Sequence, residues 1–166
     1  MLDLVNIHDE VIKQLPLTEI RDNKLQYYRA TSAFIRNSEG KLWIPRRTPG
    51  KRYHPNGLDF SVAGHVTAGE SYEACFIRET EEELGLILKV DDFRFLGKVT
   101  PTEISDFPCF LACYEIVSDS VPDYNRDDFS SWEWLSPEEI IARIDSGKEP
   151  PTKNLPAVLR YFGYCD

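Results

Sequence analysis

From Tyr28 the chain reads YYRATSAFIRNSEGKLWIPRR, two stretches rich in β-branched and aromatic residues separated by Asn37-Ser38-Glu39-Gly40. That spacing predicts a hairpin with strands over 28–36 and 41–46. Residues 1–27 have no clean period: LDLVNIHDEVI can hold a short strand and PLTEIRDNK a helical turn. TPGKRYHPNG reads as a loop by its Pro and Gly content, and LDFSVAGHV as a strand. A helix is expected over 71–84, with Ser71 as N-cap and Gly85 as its stop. FRFLGKV, PCFLACYEIV and SSWEWLS continue the strand pattern, with the loop TPTEISDF between the first two. Ser136-Pro137-Glu138-Glu139 forms a capping box that opens a helix to about residue 144. After a Pro-broken linker the chain has room for one short final helix. Alternating strands and helices in this order suggest one sheet with helices on both faces.

With 166 residues, a single domain with a sizeable core is the simplest organisation. The net charge of -9 opposes nucleic-acid binding, which rests on basic contacts to phosphate. No apolar run approaches a membrane span, and MLDLVNIHDE lacks the basic flank and apolar stretch of a signal peptide, so a cytoplasmic location is expected. Cys75, Cys109, Cys113 and Cys165 show no metal or redox spacing and read as small hydrophobes.

The charge becomes informative in one place. Glu79, Glu81, Glu82 and Glu83 crowd the end of the expected 71–84 helix, where like charges repel and carboxylates oppose the helix dipole. At 100° per residue, Glu82 and Glu83 flank Glu79 by about 60° and about 40°, whereas Glu81 points about 200° away into solvent. Tyr72 and Cys75 share the Glu79 face. Ala74, Ile77 and Leu84 lie opposite and offer packing surface. Convergent carboxylates form a hard-oxygen site suited to Mg2+ or Mn2+; the bland reading is a charged face neutralised by Arg78 and solvent. Arg46, Arg47, Lys51, Arg52 and His54 make the one dense basic patch, and Arg46 and Arg47 are the candidate phosphate-binding residues.

Spacing favours the metal reading. Gly64, Glu70, Arg78, Glu79, Glu82, Glu83, Gly85 and Leu86 stand in the register G-x5-E-x7-R-E-U-x-E-E-x-G-U, with Thr80 the one departure from a bulky aliphatic U. The stretch 64–86 resembles the Nudix box. The resemblance implies an α/β/α sandwich with a mixed sheet over 28–166, with residues 1–27 as an extension packed upon it. It implies a hydrolase that cleaves a diphosphate linkage in a nucleoside diphosphate derivative or related organic diphosphate. Glu79, Glu82, Glu83 and the Ala63 carbonyl would hold Mg2+ or Mn2+; Gly64, Glu70, Arg78 and Gly85 would be structural. The general base would be a box glutamate, Glu79 or Glu82, or a loop acid, Glu103 or Asp106. A homodimer is common in the family. Two other readings stay open: a nucleotide-sensing module that does not cleave, and an isopentenyl-diphosphate isomerase-like enzyme. The second would need a cysteine where Ala63 stands and more metal-binding histidines than His65 supplies.

Overall fold

The structure, a computed structural model, describes residues 1–104, 107–152 and 154–165. Strands β1 (Leu2–Val5) and β2 (Val11–Leu15) are followed by α1 (Leu17–Asp22), β3 (Tyr28–Arg36), β4 (Leu42–Arg47) and β5 (Val62–His65). Then come α2 (Tyr72–Leu84), a 3-10 turn at Val90–Asp92, β6 (Phe93–Val99), β7 (Cys109–Val117), β8 (Phe129–Leu135), α3 (Pro137–Asp145) and α4 (Leu155–Tyr161).

β3 organises the sheet. One edge runs parallel to β7 over its whole length, from Tyr28 opposite Cys109 to Arg36 opposite Val117. Its other edge is shared in turn by β1 at Tyr28, β5 at Ala30–Ala33 and β4 at Arg36, all antiparallel. β3 and β7 therefore have both faces covered, which is why they read as near-continuous apolar runs instead of alternating ones. One face packs Phe34, Leu111, Cys113 and Ile44 against α3 and α4. On the other, Ala112, Tyr114 and Ile116 meet α2 through Phe76 and Leu84. The Phe76 and Tyr114 rings stack 4.3 Å apart, and burying a side chain of that size is worth about 1.5–3 kcal/mol. This is the α/β/α sandwich with a mixed sheet that the sequence implied.

The N-terminal residues are more ordered than their pattern suggested. The expected short strand is a β1–β2 hairpin joined to β3, and the helical turn is α1, held by the Leu2, Leu15 and Ile20 cluster. β2 escaped notice because four of its five residues are exposed, leaving no alternation to read. Asp9, at φ 63°, then ties this region to the rest: it accepts from Arg29 (2.6 Å), Lys98 (2.8 Å) and the Tyr72 hydroxyl (3.0 Å).

On α2 the helical-wheel expectation holds for Leu84, which is buried, and for Ile77, which packs on the core, but not for Ala74. Ala74 is exposed, and Cys75, Phe76, Thr80 and Leu84 are buried. The acidic side of the helix therefore lies close to the sheet, and Glu81 is exposed as expected. Thr80 fits a fully buried position because its hydroxyl donates to the Phe76 carbonyl at 2.7 Å, leaving no orphan polar atom.

Candidate active site

β5 and α2 build the site between them. β5 lies on β3 with Ala63 opposite Ser32 and Gly64 opposite Thr31. The connection to α2 is braced twice. The Ser71 hydroxyl caps the helix by accepting from the Ala74 N–H at 3.1 Å. Glu70 accepts from Arg78 Nε (3.0 Å) and Nη2 (3.1 Å), and from the Thr67 N–H and hydroxyl (both 3.0 Å). This forked pair, with Thr67 assisting, pulls the Glu70 carboxyl down to about 2. At the other end Gly85 takes the left-handed conformation (φ 64°) that closes the helix, its N–H donating to the Glu81 carbonyl at 3.0 Å.

Gly64 has a different necessity. A Cβ built there would fall inside the Glu79 side chain, so the glycine lets Glu79 lie flat across β5. Arg78 Nη1 donates to Glu79 at 2.8 Å and to Glu82 at 3.3 Å. Glu82 stays exposed, whereas Glu79 is mostly covered and its carboxyl is raised, burial outweighing the Arg78 contact. Glu83 turns inward and accepts from the Ala63 N–H at 3.1 Å. Burial pushes its carboxyl well above the carboxylate range against that one hydrogen bond, and Asp59, Glu79 and Asp128 nearby push it further. No ion pair reaches Glu83 among the described residues.

The three glutamates share the helix end, but Arg78 engages Glu79 and Glu82 and the Ala63 N–H holds the third. Among the described residues no three acidic, histidine or cysteine side chains stand together as a ready-made ligand set. Their donor chemistry nonetheless fits a hard cation. Glu83 is a largely covered carboxyl that burial and neighbouring acids keep from ionising, and a divalent ion at its oxygens would favour the ionised form.

The basic patch is largely committed elsewhere. Arg46 pairs with Glu149 (2.7 Å) and donates to the Asn56 carbonyl (2.9 Å). Arg47 pairs with buried Asp59 (2.6 Å) and donates to the Tyr53 carbonyl (3.1 Å). Lys51 pairs with Asp128. Asp59, five residues before the box but outside its spacing pattern, and Asp128, distant in sequence, shape the field at Glu83, and neither carries a local signal of it. Glu103 caps its own turn, accepting from the Thr100 N–H at 2.6 Å, and is tied to α4 by the Tyr161 hydroxyl at 2.7 Å. Those contacts, Tyr161 first, hold its carboxyl below its ordinary value. Asp106 lies outside the described residues. His65 stacks on Tyr28 with ring centres 5.6 Å apart, and burial lowers it to about 4, keeping it neutral. Cys75, Cys109 and Cys113 are buried, and burial raises each thiol.

The NUDIX domain matches residues 26–155. The chain belongs to the Nudix family. It is 46% identical to a Nudix hydrolase of Deinococcus radiodurans over 151 residues, 89% of this chain and 85% of that one. It is 42% identical to an uncharacterized Nudix hydrolase of Nostoc over 162 residues, 98% of this chain and 95% of the relative. A crystal structure of a Deinococcus radiodurans protein superposes with TM-score 0.88 at 42% identity, covering 98% of both chains. A MutT protein of Methanosarcina mazei shares the fold at TM-score 0.64 and 21% identity, over 84% of this chain and 94% of its own. As a Nudix hydrolase, the chain is an enzyme acting on pyrophosphate bonds of small molecules. None of its described helices is long and apolar enough to cross a membrane.

Proposed function

We propose that this Nudix hydrolase is a Mg2+- or Mn2+-dependent enzyme that cleaves the diphosphate linkage of a nucleoside diphosphate derivative or related organic diphosphate in the cytoplasm. The supporting observation is the Glu83 carboxyl, turned onto the Ala63 N–H beside Glu79 and among other acids, with no cation opposite it among the described residues. Glu79, Glu82, Glu83 and the Ala63 carbonyl would hold the metal. When bound, the ion supplies charge neutralisation at the phosphoryl oxygens and a lowered pKa for an attacking water.

The chain's own residues do the rest. The Glu70–Arg78 fork fixes the start of α2 relative to β5, and Gly64 clears the space in which Glu79 lies. Glu82 is free to swing inward from Arg78 because it is exposed and its Arg78 contact is long. Arg46 and Arg47 reach phosphate only by exchanging carboxylate partners, so their part is to place the basic loop 48–57. A box glutamate, Glu79 or Glu82, is the first candidate for the base. Glu103 is the second; the Tyr161 hydroxyl and the Thr100 N–H already donate to its two oxygens, which weakens it as a base.

Chromatographic detection of the two phosphomonoester products from a panel of nucleoside diphosphate derivatives, with Mg2+ or Mn2+ at mildly alkaline pH, tests this reading. Wild type should turn over part of the panel and Glu83→Gln almost none. Equal, blank-level signals from both proteins across the panel would favour a sensing module instead.

A further inference from the structure

The basic loop 48–57 hangs on the glutamate helix through the turn 125–128. The Asn125 N–H donates to the main-chain carbonyl of Glu83, in the last turn of α2, at 2.7 Å. Asn125 also shapes the turn itself. Its carbonyl accepts from the Asp128 (3.1 Å) and Phe129 (3.0 Å) N–H groups, and its side chain accepts from the Asp127 N–H (3.0 Å). Next to it the Tyr124 ring lies on buried Trp43, with ring centres 5.8 Å apart.

This turn holds the loop by its first residues. The Thr48 N–H donates to the Asp128 carbonyl at 3.0 Å, and the Thr48 hydroxyl to the Asp127 carbonyl at 3.1 Å. Lys51 then pairs with the Asp128 carboxylate, both side chains partly buried. Asp128 therefore serves twice, through its main chain and through its side chain. It does so from a place where its charge opposes ionisation of Glu83. An acid kept in so unfavourable a position calls for a task, and holding Lys51 is the one its contacts show.

The tip of the loop is held differently. Residues 52–56 are exposed, and Arg52 has no carboxylate partner among the described residues. Arg21 lies over the Tyr53 ring, 4.1 Å from its centre, at the edge of a cavity beside α1. Such a contact is worth about 0.5–1 kcal/mol at an exposed site. His54 (φ 50°) and Asn56 (φ 60°) carry the backbone through the left-handed region that non-glycine residues seldom adopt. A firmly anchored stem thus presents a lightly held, cationic tip.

We propose that Asp128 is a positioning residue for the reaction: through Lys51 it docks the basic loop on the glutamate end of α2, so that Arg52 and His54 meet the substrate's phosphates from a stem already fixed. Preorganisation of this kind appears in substrate affinity, because an anchored loop loses less freedom on binding. The purpose of the loop rests on the proposed diphosphate chemistry; the way it is held does not.

Limited trypsin digestion at the Arg52–Tyr53 bond, followed by mass spectrometry, reads the anchor without any substrate. Asp128→Asn and Lys51→Gln should each speed cleavage there about tenfold, the scale of one charge-assisted contact, while cleavage elsewhere holds. The double variant should be no faster than either single one, since both remove the same pair. Asp128→Glu should keep the loop protected. On those members of the panel that are hydrolysed, both single variants should raise KM about tenfold with kcat kept. Unchanged cleavage at Arg52 in both, cleavage accelerated throughout the chain, or a freed loop with KM unchanged overturns the proposal. If the whole panel stays unhydrolysed while the variants still free the loop, the catalytic reading falls and the anchor stands.

Discussion

Glu70 and Glu83 are two acids of one motif in opposite electrostatic states. Glu70 has a guanidinium on both oxygens and is held near 2; Glu83 is buried against a single N–H among other acids, and its carboxyl is raised well above the usual range. The first is saturated and braces the fold. The second costs stability where it stands, and such a cost persists when another function requires the charge. An acidic run therefore does not disclose by itself which members brace and which react; the partners do.

The sharpest break in this contrast is Glu83→Gln. It should lower kcat/KM by about 10²- to 10³-fold, the cost of losing one fixed electrostatic contact at a reacting phosphate. The melting temperature without metal should hold or rise, since an acid whose burial opposes its ionisation is replaced by a neutral amide of the same shape. An activity loss matched by unfolding would remove the distinction from Glu70. Next in size is Gly64→Ala, whose methyl must displace Glu79; steady-state kinetics should show a loss of about 10²-fold, typical of a misplaced catalytic group, with a native circular dichroism spectrum.

Glu70→Gln should act in the other sense, costing about 1 kcal/mol of stability as a partly exposed ion pair, or about 2–4 °C in melting temperature. Because folding lowers its pKa from 4.5 to about 2, its stabilisation is complete above 4.5 and disappears as pH falls toward 2. Wild type and variant melting curves should accordingly converge at low pH, and a gap that persists at pH 2 would refute the pairing as its cause. Glu103→Gln and Tyr161→Phe give the smallest effects if Glu103 only ties its turn to α4: each should lower melting temperature slightly and leave kcat unchanged. A large kcat loss in Glu103→Gln alone would make Glu103 the base.

The box and its helix were legible because their signals are local: Ser71, Gly85 and the register of the glutamates lie within 23 residues. The hairpin 28–46 and the Ser136 cap were legible for the same reason. Non-local features were not. The partners of Arg46 and Arg47 are Glu149 and Asp59, and no spacing rule connects them. On α2, Leu84 and Ile77 pack as the helical wheel implies, and Ala74 alone departs by facing water, because an angle along one helix does not say how far the neighbouring sheet reaches. The cavity beside α1 joins residues from three separate segments, 20–28, Tyr53 and Pro108.

The central claim is that the charge at Glu83 belongs to a divalent cation shared with Glu79 and Glu82. Calorimetric titration of the full chain with Mn2+ tests it most directly, with and without a nonhydrolysable nucleoside diphosphate analogue. Wild type should take up the ion, and Glu83→Gln should lose that uptake while Glu70→Gln keeps most of it. Equal uptake by wild type and Glu83→Gln, or no uptake by wild type even with the analogue, would contradict the account.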